Sequence, residues 1–416
     1  MIKRDMAHVL RQALKEYPVV SVSGPRQCGK TTLLRNELPD WDYVSLEDPD
    51  VRQLAVDDPR AFLRHRHWHV IFDEIQRAPE LLSYLQGMVD ETGEPGQFAI
   101  SGSQNYLLMR SVTQTLAGRV ALVDMGTLSR HELLGASAVD LSAPDRGSAP
   151  LGAVRDDRWE WVVRGGYPRI YDYGIPSDRY YADYVQTYLE RDVRGEVGVI
   201  KLLDFERFMG VCASRTGELL NYSALASDTG IDVKTAKGWL SALEASGILF
   251  ELRSHFSNAG KRFTKSPKLY FYDTGLACHL LGIRTGEEAF AYTKSGNLFE
   301  TAVVAEYLKC IRATGERPNV TYYRKGGSEK EIDLVAERGL EPWYAFEVKS
   351  SSTYRDKFFS NITSLADELG VPVDRRGVIY NGEEGSVGNR QGLLLTPDDL
   401  PSLADGSVFA LRARDR

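Results

Sequence analysis

No apolar run in this chain approaches the ~20 residues needed to span a bilayer. The opening Met1-Ile-Lys-Arg-Asp-Met-Ala-His8 lacks the apolar core of a secretion signal. Cysteine is scarce: Cys28, Cys212, Cys278 and Cys310 are scattered without paired spacing, which argues against a disulfide framework and against a zinc site. There is no excess of positive charge. The formal net charge of −7 disfavours wholesale attraction to nucleic acid, but leaves room for a local basic face, because exposed charges act over about one Debye length. No repeat of solenoid length is visible. The expectation is a cytoplasmic protein without a membrane partner. Its 416 residues, 43% hydrophobic and 26% charged, suit two or three globular domains.

The most informative segment is Val19-Val-Ser-Val-Ser-Gly24-Pro25-Arg26-Gln27-Cys28-Gly29-Lys30-Thr31-Thr32. An apolar run enters Gly-x-x-x-x-Gly-Lys-Thr, a phosphate-binding loop set between a strand and a helix. Glycine lets the backbone turn so that successive N–H groups face phosphate oxygens. Lys30 is the expected partner of the β- and γ-phosphates, and Thr31 offers a hydroxyl to Mg²⁺. The helix that follows presents its positive end to the same anion. Residues 24–32 are therefore the predicted ATP cradle.

Trp68-His-Val-Ile-Phe-Asp73-Glu74 reads as a buried parallel strand ending in two carboxylates. Asp73 is placed to hold Mg²⁺ through water, and Glu74 to act as general base on the attacking water. At the end of the next apolar run, Ser103, Gln104 and Asn105 are candidates to sense the γ-phosphate. Arg119, in Leu-Ala-Gly-Arg, could complete a neighbouring subunit's site as an arginine finger, or be an ordinary surface charge. His65, His67 and His69 alternate before Asp73. With no further ligand nearby they read as a polar strand edge rather than a metal site.

The expected organisation is an ATPase core over 1–135, with a short amphipathic helix before strands near 19–23, 42–46, 69–73, 97–101 and 120–124. A Pro-rich loop and helical subdomain follow over 136–202. Tyr180, Tyr184 and Tyr188 make one helix face there, read as core packing rather than a base-stacking platform. Residues 203–289 have the cadence of a winged helix. Asp232 caps its second helix, Trp239, Leu240 and Leu243 face inward, and Lys234, Thr235 and Lys237 face outward as candidate DNA contacts. Packing between subunits is the other use of such a module. Lys261, Arg262, Lys265 and Lys268 sit in a basic loop that either engages a phosphate backbone or is simply solvated.

In 290–416 an amphipathic helix carrying Glu300 precedes strands near 319–324, 330–337 and 343–350. Period-two alternation puts Glu347 and Lys349 on one face, with Asp333 on the neighbouring strand. Asp333 and Glu347 could share a Mg²⁺, which favours oxygen ligands, with Lys349 supporting an attacking hydroxide. This set resembles the restriction-endonuclease fold. It implies either a nuclease site or a retained fold that does not cut.

The order Gly-Pro-Arg-Gln-x-Gly-Lys-Thr-Thr, Phe-Asp-Glu-Ile-Gln-Arg-Ala-Pro, Ser-Gly-Ser and Leu-Ala-Gly-Arg resembles a prokaryotic family of AAA+ class ATPases with a C-terminal domain of unknown function. The resemblance continues through Arg164-Gly-Gly-Tyr-Pro168, Tyr188-Leu-Glu-Arg-Asp192 and Lys265-Ser-Pro-Lys-Leu-Tyr-Phe-Tyr-Asp-Thr-Gly275. One departure is Cys28, where the family often has a small apolar residue; a thiol there adds a possible oxidation site. The expected fold is α/β: a P-loop parallel-sheet core, a helical and winged-helix middle and an α/β C-terminal domain. The expected function is ATP- and Mg²⁺-dependent action on DNA, with branched DNA as a candidate substrate, by a homo-oligomer such as a hexameric ring. The rival is a nucleotide-dependent regulatory or defence switch. A metabolic phosphotransferase is disfavoured because no small-substrate lid is evident.

Overall fold

A computed structural model of the chain describes residues 2–64, 66, 68–103, 112, 114–135, 157–189, 193, 202–256, 265–325, 330–383, 385 and 391–409. The Pro-rich stretch 136–156, the basic-loop residues Lys261 and Arg262, Gln104, Asn105, His65 and His67 lie outside them.

The first sheet contains β1 (Val19–Gly24), β2 (Asp42–Ser45), β3 (Val70–Asp73), β4 (Phe98–Ser103) and β5 (Val120–Asp124), in the order β2-β3-β4-β1-β5. Every pair is parallel. Strand positions follow the apolar runs to within a residue or two, because strands covered on both faces need continuous apolar sequence. One face packs Phe72, Phe98 and Ile100 against Leu81, Leu82 and Leu85 of the helix Leu81–Thr92. The other packs Val20 and Val22 against Leu10 of the helix Ala7–Glu16 and Leu34 of the helix Lys30–Glu37.

The middle of the chain has one core where the sequence suggests two units. Tyr180, Tyr184 and Val185 of the helix Ser177–Tyr188 belong to the same buried cluster as Phe205, Phe208, Trp239 and Leu243. The expected boundary between 202 and 203 is therefore not a packing boundary: the tyrosine face needs the later helices to cover it. Within this unit Asn221 caps the helix Tyr222–Thr229, Gly230 takes a left-handed turn at φ 82, and Asp232 caps the helix Val233–Ala245. β6 (Leu249–Leu252) then pairs antiparallel with β7 (Lys268–Phe271).

The C-terminal sheet has the order β12-β11-β10-β9-β8. β8 (Val320–Arg324), β9 (Glu331–Arg338) and β10 (Glu341–Lys349) are antiparallel neighbours, while β11 (Arg376–Tyr380) and β12 (Leu393–Leu395) join parallel. The helix Ser295–Ala313 corrects the amphipathic expectation, since residues 301–308 are buried without interruption. It lies between this sheet, through Phe299, Val303 and Tyr307, and the β6–β7 pair, through Val304, Ala305 and Leu308.

Two distant sequence motifs meet at Asp273. Its carboxylate caps the helix Thr274–Leu280, and accepts hydrogen bonds from Gly166 N–H at 2.8 Å and the Tyr181 hydroxyl at 2.6 Å. A Cβ on Gly166 would lie 2.4 Å from the Leu128 carbonyl oxygen, so only glycine admits this approach. Asp273→Ala strands buried donors that each cost ~1–3 kcal/mol when unpaired. It is expected to lower unfolding free energy by about 3 kcal/mol, read from denaturant midpoints; an unchanged midpoint would refute this hub.

Candidate nucleotide site and a second carboxylate cluster

The phosphate loop turns through Gln27 at φ 61 and Gly29 at φ 98 before the helix Lys30–Glu37 begins. Gly24 admits no side chain, since a Cβ would sit 2.1 Å from the Met125 carbonyl oxygen. Lys30 is buried, and its ammonium donates to the carbonyls of Gly24 at 2.9 Å and Pro25 at 2.8 Å. Cys28 is fully buried, with its thiol 3.7 Å from the Met125 carbonyl. That corrects the expectation of an oxidation site, since an oxidant cannot reach a thiol packed inside.

Asp73 is the polar centre. Oδ2 accepts from Thr31 Oγ1 at 2.9 Å and the Tyr43 hydroxyl at 2.7 Å, and Oδ1 accepts from the Ser101 hydroxyl. Burial and the Asp73 carboxylate push the Tyr43 phenol up, so it stays a donor at neutral pH. Thr31 and Asp73 are thus joined as neutral-hydroxyl and carboxylate oxygens, a donor set that fits Mg²⁺. Glu74 follows at φ 56, and Gln76 donates to its carboxylate. Ser103 pairs in register with Gly24, which puts its backbone beside the loop. Arg119 is at the opposite end of the sheet, where Val19 N–H donates to its carbonyl, and its guanidinium engages both oxygens of Asp90. It does not enter the site of its own chain. His69 stacks on Trp41 at 5.1 Å.

A cleft of about 490 Å³ opens over the loop. Arg26, Gln27, Gly29, Lys30, Thr31, Thr32 and Glu74 form one wall; Pro168, Arg169, Tyr173, Tyr184, Thr187 and Tyr188 form the other. Its volume lies in the usual range for small-molecule sites. The Tyr180 hydroxyl donates to Gln27 Oε1 at 2.9 Å, tying the loop to the far wall.

Arg4 gave no sequence signal, because one arginine before a strand is unremarkable. Its NH1 donates to the Cys28 carbonyl at 2.6 Å, NH2 to the Gly126 carbonyl at 2.8 Å and Nε to Glu132 at 3.0 Å. A trans peptide directs its C=O and N–H in opposite senses. Holding the Cys28 carbonyl back on Arg4 therefore turns the Gly29 N–H the other way.

In the C-terminal domain the carboxylates of Glu300, Glu331 and Asp333 converge within 4.8 Å of one another. Their shared partner is Lys268, the first residue of β7. Its ammonium lies 2.8 Å from Glu300, 3.0 Å from Glu331 and 3.4 Å from Asp333. Burial alone would lower the lysine pKa, but Tyr270, Glu300, Asp333 and Glu331 hold it above its usual range. Burial raises Glu300, with Asp333 adding to the shift. Asp333 Oδ2 accepts from Val348 N–H at 2.8 Å. Glu347, raised by burial, is bound by Lys349. Asp333 and Glu347 do lie on facing positions, one step past the Leu334–Phe346 pair. Sequence reasoning singled out Glu300, Asp333, Glu347 and Lys349 as candidates and passed over Glu331; it placed Lys268 in a basic loop, which is corrected here, since Lys268 opens a buried strand and is 2% exposed.

Of the candidate DNA contacts, Lys234, Lys237 and Lys265 are exposed. Thr235 donates to Asp232 at 2.6 Å as part of the helix cap, and Lys237 stands 5.3 Å over the Tyr222 ring.

A family profile described as "AAA domain" matches residues 16–134, one described as "Domain of unknown function (DUF8612)" matches 155–287, and one described as "Domain of unknown function (DUF4143)" matches 295–395. The uncharacterized proteins Rv2008c of Mycobacterium tuberculosis and Mb2031c of Mycobacterium bovis are each 34% identical over 415 residues, which covers 99% of this chain and 87% of the relative. The chain belongs to this family of AAA-domain P-loop ATPases. Among solved structures, the Walker-type ATPase paby2304 of Pyrococcus abyssi aligns with 67% of this chain and 96% of its own, at 15% identity and a TM-score of 0.42. No described helix of this family member is long and apolar enough to cross a membrane.

Two substitutions test the nucleotide site. Ser101→Ala should weaken Mg²⁺-dependent turnover by about 10- to 100-fold, the usual cost of removing a partner that orients a metal-site carboxylate; unchanged Mg²⁺ dependence would remove Ser101 from the site. Arg4→Ala should weaken nucleotide binding in a fluorescent-nucleotide titration and also lower the melting temperature, because the buried Glu132 loses its charged partner. Affinity equal to wild type would sink the peptide-orientation argument.

Proposed function

We propose that this ATPase couples Mg²⁺-dependent ATP hydrolysis to action on DNA, with branched DNA such as a Holliday junction as the substrate class. The observation that carries the hydrolytic part is the Thr31–Asp73 hydrogen bond at the base of a cleft lined by the phosphate loop and Glu74. Lys30 neutralises phosphate charge, and Thr31 and Asp73 would hold Mg²⁺, directly and through water. Bound Mg²⁺ supplies charge neutralisation at the phosphates. Glu74 accepts the proton of the attacking water, with Gln76 fixing its carboxylate. Ser103 lies beside Gly24 as the candidate γ-phosphate sensor.

The DNA part is supported by the helix pair Tyr222–Thr229 and Val233–Ala245 followed by the β6–β7 pair, the element order of a winged helix. Lys234 and Lys237 are exposed cations on its second helix, and Lys265 precedes β7. Arg119, at the far end of its own sheet and paired with Asp90, would act as a finger by reaching another copy's phosphates, which is consistent with a homo-oligomer. A hexameric ring is the assembly we favour.

Steady-state ATPase measurements with single-stranded, duplex and four-way-junction DNA test this reading. Strong stimulation by one form is expected. Slow turnover indifferent to every DNA would instead favour a nucleotide-dependent switch with a protein partner. Glu74→Gln should bind ATP yet turn it over at least about 100-fold more slowly. Arg119→Ala should reduce turnover by roughly 10³-fold without loss of nucleotide affinity; full activity would remove its role between subunits.

A further inference from the structure

Lys268 belongs to the middle domain, yet its ammonium lies at the focus of three C-terminal carboxylates. It is only 2% exposed. An ammonium has three N–H donors and no acceptor, and here Glu300, Glu331 and Asp333 supply an oxygen for each. The arrangement is built rather than incidental. Tyr270, two residues on along β7 and therefore on the same face, also donates to Glu300. Phe250 and Tyr270 pack with Val304 and Leu308, so the strand pair that carries Lys268 is seated on the helix that carries Glu300. The Tyr322 ring lies 5.6 Å from the ammonium.

The geometry is that of a cation site. The ligand oxygens lie within 4.8 Å of one another, a span close to opposite corners of a Ca²⁺ shell, whose bonds are about 2.3–2.6 Å, and slightly wider than a Mg²⁺ shell with bonds of about 2.1 Å. Contacts of 2.8–3.4 Å to nitrogen would need to shorten by about 1 Å around a metal, which side-chain rotation can provide. A second, separate observation points the same way. Glu347 faces Asp333 across the β9–β10 pair, is 4% exposed, and its Oε2 has no hydrogen-bond partner among the described residues.

We propose that Glu300, Glu331 and Asp333 form a divalent-cation site whose resident cation is the Lys268 ammonium, so that β7 closes the nuclease-like centre against metal. The ammonium and a metal ion cannot share the position, because both need the same oxygens and their charges repel. With Lys268 in place the centre is an ion-paired joint between two domains. With Lys268 withdrawn, the three carboxylates need another cation, and oxygen-preferring divalent ions are the class that fits. This inference does not depend on the proposed role in DNA.

The test uses the full chain without nucleotide, titrated with Mn²⁺ by calorimetry and followed by thermal melting. Wild type should show no Mn²⁺ uptake that Glu331→Gln abolishes, and no change in melting temperature that depends on Glu331. Lys268→Met should melt lower, bind Mn²⁺ and regain stability with it; Lys268→Met/Glu331→Gln should lose that uptake. Lys268→Gln, which keeps an N–H donor, gives the same readout if the methionine variant does not fold. Two results would overturn the proposal: lysine-free variants that neither bind Mn²⁺ nor recover, or wild-type uptake that Glu331→Gln abolishes.

Discussion

The architecture depends on the burial of one helix, Ser295–Ala313, on nearly all of its sides. A helix with a solvent face can be served by one domain; this one requires three. The C-terminal sheet covers Phe299, Val303 and Tyr307, and the β6–β7 pair covers Val304 and Leu308. Its last turns meet the ATPase core: Glu306 accepts from Arg130 N–H at 2.6 Å, Lys309 donates to the Leu128 carbonyl at 3.0 Å, and Arg312 pairs with Asp124 at 2.9 Å. Polar groups so buried are costly unless paired. The ATPase core and C-terminal domain therefore satisfy one another, and separating them would strand charge as well as apolar surface. Glu300 sits on the same helix, so the carboxylate cluster is anchored to the element that touches the core.

The nucleotide cleft follows the same logic of sharing. Its loop belongs to the first sheet, but the opposite wall comes from the helical unit. Tyr180 reaches Gln27, and Pro168 approaches Gly29. Pro168 follows Gly166, and Gly166 is held by Asp273, only five residues beyond Lys268. The loop and the far wall are thus joined through packed side chains and short hydrogen bonds. Coupling of this kind needs an element with two arrangements. The junction of Gly165–Pro168 with Asp273 is the place where the two walls of the cleft are joined to β7.

Much of the core was legible because its physics is local. A phosphate loop needs glycine at fixed spacing beside a strand and a helix, and covered parallel strands need unbroken apolar runs. Thr31, Asp73 and Glu74 were picked out as candidates for that reason. Ser101 and Tyr43 were not, since their meaning comes only from strand register, which brings both hydroxyls to Asp73. The helix Ser295–Ala313 was misread as amphipathic because periodicity reports a single apolar face and cannot count the surfaces that will cover it. The split at 202 failed similarly: the tyrosine face predicts burial, not the partner that provides it. Glu331 shares a strand face with Asp333 two residues on, which period-two alternation could have shown, but Lys268 lies 65 residues from Asp333 and no local pattern joins them.

Two buried lysines illustrate how partners decide what a site can accept. Lys30 rests on the carbonyls of Gly24 and Pro25, which are neutral acceptors. Charged phosphate oxygens bind an ammonium more strongly than carbonyls do, so an entering nucleotide gains by taking those contacts over. Lys268 rests on three carboxylates instead. Breaking a buried ion pair by removing one partner is strongly destabilising, because it leaves charge uncompensated; no neutral ligand can replace the ammonium there. The first lysine is thus poised to exchange its partners for an anion, and the second to hold its partners closed against an incoming cation. The same side chain, at comparable burial, makes one centre receptive and keeps the other closed.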